Sequence, residues 1–163
     1  MNPARLLLPL ASLALLAAVG AQGALASGSG GSTGRGMAGV ANPEQARVDY
    51  MLKCQGCHQP DGSGDMAHTP PLKGAVAQFL HVPGGRQFLG RVPGVASTDL
   101  SDVRLAQLLN WTVQRFDPAH LPGDFQPYST QEISELRRVP LRLERAETRA
   151  RLVAAIEEGA PTT

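Results

Sequence analysis

Apolar residues recur at helical spacing in several stretches of the chain. The first stretch opens at Asn42, a good N-cap residue, has Pro43 at the first helical position and runs into Cys54. A second stretch opens at Ser101 and ends before Pro118. Its apolar stripe comprises Leu105, Leu108, Leu109, Thr112 and Phe116. The pattern predicts two long helices and, with them, an all-α fold.

The C-terminal part of the chain predicts two further helices. Ser129 and Glu132 form a capping box for a short helix. A longer helix is predicted over 142–158. Its apolar stripe comprises Leu143, Ala146, Ala150, Val153 and Ile156. We therefore divide the chain into a domain of residues 42–128 and a helical C-terminal extension of residues 129–163.

The N-terminal part of the chain predicts export. Arg5 precedes an uncharged apolar run, and Ala-Leu-Ala at 24–26 suits cleavage by a signal peptidase. We therefore predict a signal peptide over 1–26, a Gly- and Ser-rich tether over 27–41 and a periplasmic location. In the alternative, the apolar run stays uncleaved and anchors the protein to the outer face of the cytoplasmic membrane.

Composition and charge exclude several classes of function. The chain of 163 residues has a formal net charge of only +1, so neither nucleic acid nor an acidic membrane surface is implied as a partner. No nucleophile–base pair, phosphate-binding loop or carboxylate pair is visible in the sequence. Catalysis by the polypeptide itself is therefore not supported.

Both cysteines of the chain lie in one pentapeptide, Cys54-Gln55-Gly56-Cys57-His58. Two thiols on one helical turn can each add across a vinyl group of the same porphyrin, and the following imidazole can bind the iron. A thioredoxin-like redox pair, half of a zinc site and a simple disulfide are the alternatives. The surrounding sequence lacks the alternating strand pattern that a thioredoxin-like fold needs, and it lacks the further Cys or His ligands that a zinc site needs. The pentapeptide therefore predicts one covalent haem c on Cys54 and Cys57, with His58 as the proximal iron ligand.

The residues around the pentapeptide extend this pattern. Tyr50 precedes the first cysteine, Pro70 and Leu72 follow in the order Pro-x-Leu, and Trp111 lies in the later long helix. Residues 42–116 resemble a class I c-type cytochrome domain. The resemblance implies that the Pro70 carbonyl accepts a hydrogen bond from the proximal imidazole and that Leu72 packs on the haem. The positions that match the family's contact between its first and last helices are Ala46, Tyr50, Leu108 and Trp111.

The second axial ligand is the point at which the sequence departs from this family. The family usually places a methionine before a proline in the loop ahead of its last helix, and here Val92 precedes Pro93. No methionine follows Met66. His81 is the preferred candidate, because it lies far enough along the chain to reach the other face of the iron. Met66 and an open, five-coordinate iron are the alternatives.

The resemblance implies an exported monohaem cytochrome. Such a protein carries single electrons between a periplasmic dehydrogenase and an acceptor, so its partners are redox proteins. Two alternatives stay open: a haem protein that binds or senses a small ligand at an open sixth site, and a tethered cytochrome subunit of a dehydrogenase complex. Arg86 and Arg91, near the expected distal loop, are predicted to pair with the haem propionates or with a partner.

Overall fold

The computed structural model describes residues 36–65 and 67–159, and the regular elements in these residues are helical. The α-helices are α1 (Pro43–Lys53), α2 (Gln55–His58), α3 (Gly85–Arg91), α4 (Pro93–Ala96), α5 (Asp102–Phe116), α6 (Thr130–Leu136) and α7 (Arg145–Glu157). Short 3₁₀ helices form at Ala77–His81 and Pro118–His120. An isolated antiparallel bridge joins Asp65 and Thr69, and no strand forms in the described residues. The all-α prediction is confirmed.

Helices α1 and α5 pack against each other through aromatic rings. The Tyr50 ring centroid lies 5.5 Å from that of Trp111 and 4.8 Å from that of Phe116. The start of α1 is capped as predicted, because Asn42 Oδ1 accepts a hydrogen bond of 3.0 Å from the Gln45 amide. The predicted packing of Tyr50 on the later helix is confirmed.

The predicted apolar stripe of α5 forms the centre of the core. All five of its residues are buried, with exposures between 1% and 7%. Ser101 stands at the N-cap as predicted, but its side chain makes no capping hydrogen bond. An ion pair fastens the start of α5 to α1, since the partly exposed Arg104 donates through Nε to Oδ2 of the buried Asp49 at 3.1 Å.

The C-terminal extension contributes to the same core. Ser129 Oγ accepts a hydrogen bond of 3.1 Å from the Glu132 amide, which confirms the capping box of α6. Ile133, Leu141 and Leu152 belong to the cluster that contains the α1 and α5 residues, and none is more than 3% exposed. Burying these side chains removes apolar surface from water and ties the extension to the body. The boundary between domain and extension stays a prediction.

The prediction for the last helix was wrong in its first residues: the helix begins later than expected, and the first residue of the predicted apolar stripe lies outside it. Helix α7 begins at Arg145 and not at residue 142, so Leu143 precedes the helix and is 99% exposed. The Leu141 amide donates to the Arg91 carbonyl at 2.8 Å, which holds this segment against α3 before the helix begins. The large buried residue of α7 is Leu152, which the stripe did not include.

The predicted signal peptide, most of the predicted tether and Met66 lie outside the described residues. The last residues of the tether are bound to α5, because Ala38 and Gln114 exchange two hydrogen bonds of 2.8 and 2.9 Å. In the part of the chain that the structure describes, no helix has both the length and the apolar character that a membrane span needs.

Candidate functional site

The predicted attachment pentapeptide forms a helical turn that continues from the end of α1. The His58 amide donates to the Cys54 carbonyl at 2.9 Å, and the Cys57 amide donates to the same oxygen at 3.2 Å. Both cysteines are free thiols. Cys54 is half-buried and Cys57 is exposed. The turn therefore carries both thiols and the imidazole within five residues, with the thiols not joined as a disulfide.

The imidazole of His58 is oriented by the loop that follows the turn. Its Nδ1–H donates to the Pro70 carbonyl oxygen at 3.2 Å, so the structure brings this predicted pair together. A backbone hydrogen bond held by an imidazole fixes both its tautomer and its ring direction. Nδ1 carries the proton in this arrangement, which leaves Nε2 as the nitrogen with a free lone pair. An imidazole held in this way is suited to bind a metal through Nε2.

A glycine allows the loop to reach this position. Gly62 has a positive φ of 75° and lies against the Phe116 ring, where a Cβ would come within 2.6 Å of Cδ1. Its carbonyl accepts hydrogen bonds from the amides of Leu72 and Lys73 at 2.8 and 3.1 Å. The side chain of Leu72 is half-buried and packs against the core. Gly62 therefore holds the predicted Pro-x-Leu segment close to the core.

The direction of the chain after the turn depends on a contact that the sequence did not reveal. Gln59 has a φ of 64°, a left-handed conformation that is unusual for a residue with a side chain. Its carbonyl accepts a hydrogen bond of 2.6 Å from the Tyr50 hydroxyl. Burial raises the pKa of Tyr50 to about 12, and the nearby Cys54 and Asp61 add to this shift. Tyr50 is therefore a second support of the turn, in addition to its packing on α5.

Burial also sets the protonation of the site. It lowers the pKa of His58, and the hydrogen bond to Pro70 opposes this effect only in part. The neutral imidazole is the form that binds iron, so the shift favours ligation. Burial raises the pKa of the Cys54 thiol to about 11, with Asp49 and Cys57 as further causes. Cys54 is therefore less nucleophilic than an ordinary thiol in the folded chain.

His81, the predicted distal ligand, lies at the end of the 3₁₀ helix Ala77–His81 and is exposed. Its Nε2–H donates to the His120 carbonyl oxygen at 2.7 Å. His120 in turn places Nδ1 at 2.6 Å from Oδ1 of the buried Asp117. His81 can bind iron through Nε2 only if it gives up its contact with His120, so iron ligation by His81 stays a prediction.

Arg86 and Arg91 hold the C-terminal extension, which differs from their predicted role beside haem propionates or a partner. Arg86 Nε and Nη2 donate to the two carboxylate oxygens of Glu132 at 2.6 and 2.7 Å. Arg91 Nε donates to the Val139 carbonyl at 2.6 Å. Both partners are more than 40 residues away in sequence, so no local pattern pointed to them.

The donor set of the turn fits a c-type haem. Two unpaired thiols stand at the spacing that suits two vinyl groups, and a neutral imidazole with a free Nε2 follows directly. Among the described residues, no cluster of three or more His, Cys, Asp or Glu side chains could hold a bare metal ion. These donors therefore suit a porphyrin, and the turn by itself offers fewer than the four ligands of a structural zinc site.

The chain is similar to two proteins named cytochrome c-552, both from Thermus thermophilus. One is 29% identical over 119 residues, which cover 62% of this chain and 80% of that protein. The other is 32% identical over 103 residues, which cover 52% of this chain and 79% of that protein. No family model and no solved structure matches the chain. With the helical fold and the attachment turn, this similarity shows that the chain belongs to the class I c-type cytochromes, haem proteins that carry electrons.

Proposed function

We propose that this protein is an exported monohaem cytochrome that carries single electrons between a periplasmic dehydrogenase and an acceptor protein. The observation that carries this proposal is the turn at Cys54, Cys57 and His58, whose imidazole is held by Pro70 at 3.2 Å. The family supplies the electron-carrying role. The export signal predicted over 1–26 supports the location, because thioether formation needs reduced thiols and takes place outside the bacterial cytoplasm.

The residues of the turn have separate tasks in this proposal. The thiols of Cys54 and Cys57 would hold the haem, each by adding across one vinyl group with its hydrogen passing to the other vinyl carbon. His58 offers Nε2 to the iron while Pro70 keeps the ring from turning. Leu72 supplies apolar contact and keeps water away from the haem. The bound haem supplies the redox chemistry, because its iron alternates between the ferric and ferrous states.

A haem-based protein that binds a small ligand is the second candidate function. One observation favours it: the sequence from Val82 to Ala119 contains no His, Met, Cys, Lys or Tyr. His81 is hydrogen-bonded to the His120 carbonyl, and His68 Nδ1 lies 3.3 Å from Asp65 Oδ1, so each of these histidines contacts a group of the protein and is not free to bind iron. An iron without a protein ligand on its second face would bind carbon monoxide or a similar molecule.

Expression together with a cytochrome c maturation system tests the main proposal. The purified protein should keep its haem through denaturation and acid–organic extraction, and the pair Cys54→Ala with Cys57→Ala should abolish attachment. Haem that is extracted from the intact holoprotein would contradict the proposal. N-terminal sequencing of the exported protein should find a start near Ser27, and a start at Met1 in the membrane fraction would favour the anchored form.

Spectra of matched histidine variants separate the two candidate functions. If His81 binds the iron, His81→Ala should turn a low-spin ferric spectrum high-spin and open the ferrous form to carbon monoxide. His68→Ala, a histidine paired locally with Asp65, is the control and should leave the spectrum unchanged. A wild-type protein that is already high-spin and binds carbon monoxide would favour the ligand-binding function. Loss of a low-spin spectrum in Met66→Ala alone would assign the ligand to Met66.

A further inference from the structure

The connection between α6 and α7 is held firmly to the body of the fold. Arg91 binds it twice, because its Nε donates to the Val139 carbonyl at 2.6 Å and its carbonyl accepts the Leu141 amide at 2.8 Å. The Leu141 side chain is buried in the core cluster. The middle of the connection therefore has a fixed position against α3.

The start of the same connection is fixed by Arg137. Its Nε donates to the Ala96 carbonyl at 3.3 Å, and its Nη1 donates to the Leu100 carbonyl at 2.8 Å. Nη1 also contacts Asp102 Oδ1 at 2.8 Å. An arginine is suited to such a role, because its planar fork offers five donors in fixed directions. The side chains that this connection turns towards solvent are therefore presented from a rigid backbone.

Two apolar side chains of the connection lie in solvent. Val139 is 59% exposed and Leu143 is 99% exposed, although both lie within two residues of the buried Leu141. Single exposed apolar side chains are common on protein surfaces and by themselves indicate nothing. Here, however, a leucine that makes almost no contact with the protein stands on a backbone that several long-range hydrogen bonds hold in place.

Three arginines accompany these apolar side chains. Arg138, Arg142 and Arg145 are exposed, and none of them forms an ion pair within the described residues. Arg47 and Arg86, by contrast, are each paired with a glutamate. The charges of the three arginines are therefore available to a partner. We give the name arginine patch to the exposed residues Arg138, Val139, Arg142, Leu143 and Arg145.

Positive charge is concentrated in this part of the chain. Residues 138–151 contain five arginines and two glutamates, so their formal net charge is +3. The whole chain has a formal net charge of +1, which leaves −2 for the remaining residues. The net charge of the whole chain, which implied no acidic membrane surface as a partner, therefore conceals a local excess of positive charge.

An anionic lipid bilayer fits this combination of side chains. An arginine keeps its guanidinium among the phosphates while its apolar stem lies deeper, and each such residue strengthens binding to an anionic surface about fivefold. A protruding leucine enters the headgroup region without needing a preformed pocket. A stable protein complex buries about 800 Å² on each partner, which is more than a few protruding side chains of one short connection supply.

We propose that the arginine patch binds the anionic headgroups of a lipid bilayer, with Val139 and Leu143 entering the headgroup region. The inference goes beyond the proposed function, because it depends on neither the haem nor its axial ligands. It gives the C-terminal extension a task of its own. An exported electron carrier that is held in this way stays close to redox proteins of the same membrane.

Sedimentation of the holoprotein with lipid vesicles tests this assignment. Vesicles of equal parts phosphatidylcholine and phosphatidylglycerol should bind the wild type. The triple variant Arg138→Gln, Arg142→Gln and Arg145→Gln should lose about 100-fold in affinity, from about fivefold for each arginine. Leu143→Ser should lose about tenfold, because less apolar surface leaves water. Salt at about 1 M, where the Debye length is about 3 Å, should release the wild type.

Two matched variants and a second kind of vesicle serve as controls. Arg47→Gln removes an exposed arginine that is paired with Glu44, and Leu52→Ser removes a leucine that is 70% exposed outside the arginine patch. Both should keep the wild-type affinity. On vesicles of pure phosphatidylcholine the arginine substitutions should change nothing, whatever the N-terminal segment contributes to binding. Visible and far-UV circular dichroism spectra check that each variant is folded and holds its haem.

The outcomes that would overturn the proposal are distinct from those that bear on electron transfer. Failure of the holoprotein to bind the phosphatidylglycerol vesicles would overturn it and would leave the acidic surface of a partner protein as the candidate. Equal effects of the arginine substitutions on the two kinds of vesicle would overturn the recognition of anionic lipid. An unchanged affinity in Leu143→Ser would overturn the insertion of this leucine. None of these results changes the tests of haem attachment, so the two proposals fail separately.

Discussion

Replacing Leu152 by alanine tests whether the C-terminal extension belongs to the core. The Leu152 side chain is 2% exposed and packs in the cluster that contains the residues of α1 and α5. Leu143, on the same extension, is 99% exposed. Leu143→Ala is therefore a control that matches Leu152→Ala in residue type and region, and differs from it in burial and in lying just before helix α7.

The expected loss follows from the groups that are removed. Leucine to alanine deletes three carbon atoms, and each is worth about 0.8 kcal/mol when buried, which gives about 2.4 kcal/mol. The cavity that remains raises the expected loss in the free energy of unfolding to about 3–4 kcal/mol. For a domain of this size, such a loss lowers Tm by about 10 °C. Leu143→Ala should change the free energy of unfolding by less than about 0.5 kcal/mol.

Guanidinium unfolding of the holoprotein, followed by far-UV circular dichroism, measures both variants. The slope of the transition should equal that of the wild type, so that a shift in midpoint reports stability alone. An equal loss in the two variants, or no loss in Leu152→Ala, would refute the packing of α7 on the core. A separate early transition in the wild type would refute it as well, because α7 would then unfold on its own.

Three further predictions concern the attachment turn. Tyr50→Phe removes the hydroxyl that binds the Gln59 carbonyl at 2.6 Å, and denaturant titration should show a loss of about 1 kcal/mol. The pKa of Tyr50 in the folded protein is raised from 10.0 to about 12, so the contribution of Tyr50 to the free energy of unfolding is complete below pH 10 and is lost as the pH rises towards 12. Tyr50→Phe should make this loss at high pH smaller. An unchanged pH dependence of unfolding in Tyr50→Phe would contradict the assignment. In the haem-free protein, iodoacetamide should label the exposed Cys57 before the half-buried Cys54, whose thiol pKa is raised to about 11. Mass spectrometry would measure the labelling rate at each cysteine, and equal rates would contradict this prediction.

Local patterns in the sequence predicted the helices that build the core. The caps at Asn42 and Ser129 depend on residues three positions apart, and both form as expected. The stripe of α5 repeats over four turns of one helix, so its buried face was fixed by spacing alone. The attachment turn was predictable for the same reason, because its thiols and imidazole lie within five residues.

The failures of prediction have long-range causes. The start of α7 depends on the bond between the Leu141 amide and the Arg91 carbonyl, which no local spacing encodes. Alanine and arginine occur on several faces of α7, so the spacing of its apolar residues did not show that Leu152 is the one with a deeply buried side chain. The partners of Arg86 and Arg137 lie in segments that only the folded chain brings together. The positive φ of Gln59 is likewise set by the Tyr50 hydroxyl and the loop, and not by its own residue type.

The bonds of Arg86, Arg91 and Arg137 join parts of the chain that are synthesised far apart in time. Arg86 and Glu132 are 46 positions apart, and Arg91 and Val139 are 48 apart. Contacts of this separation form late, because the intervening chain must first be ordered. In the proposed exported form, the chain crosses a membrane N-terminus first, so its two thiols emerge long before Arg137 arrives. Under the proposed function, haem attachment would then act on an open chain, and the last helices would close the fold after the haem is bound.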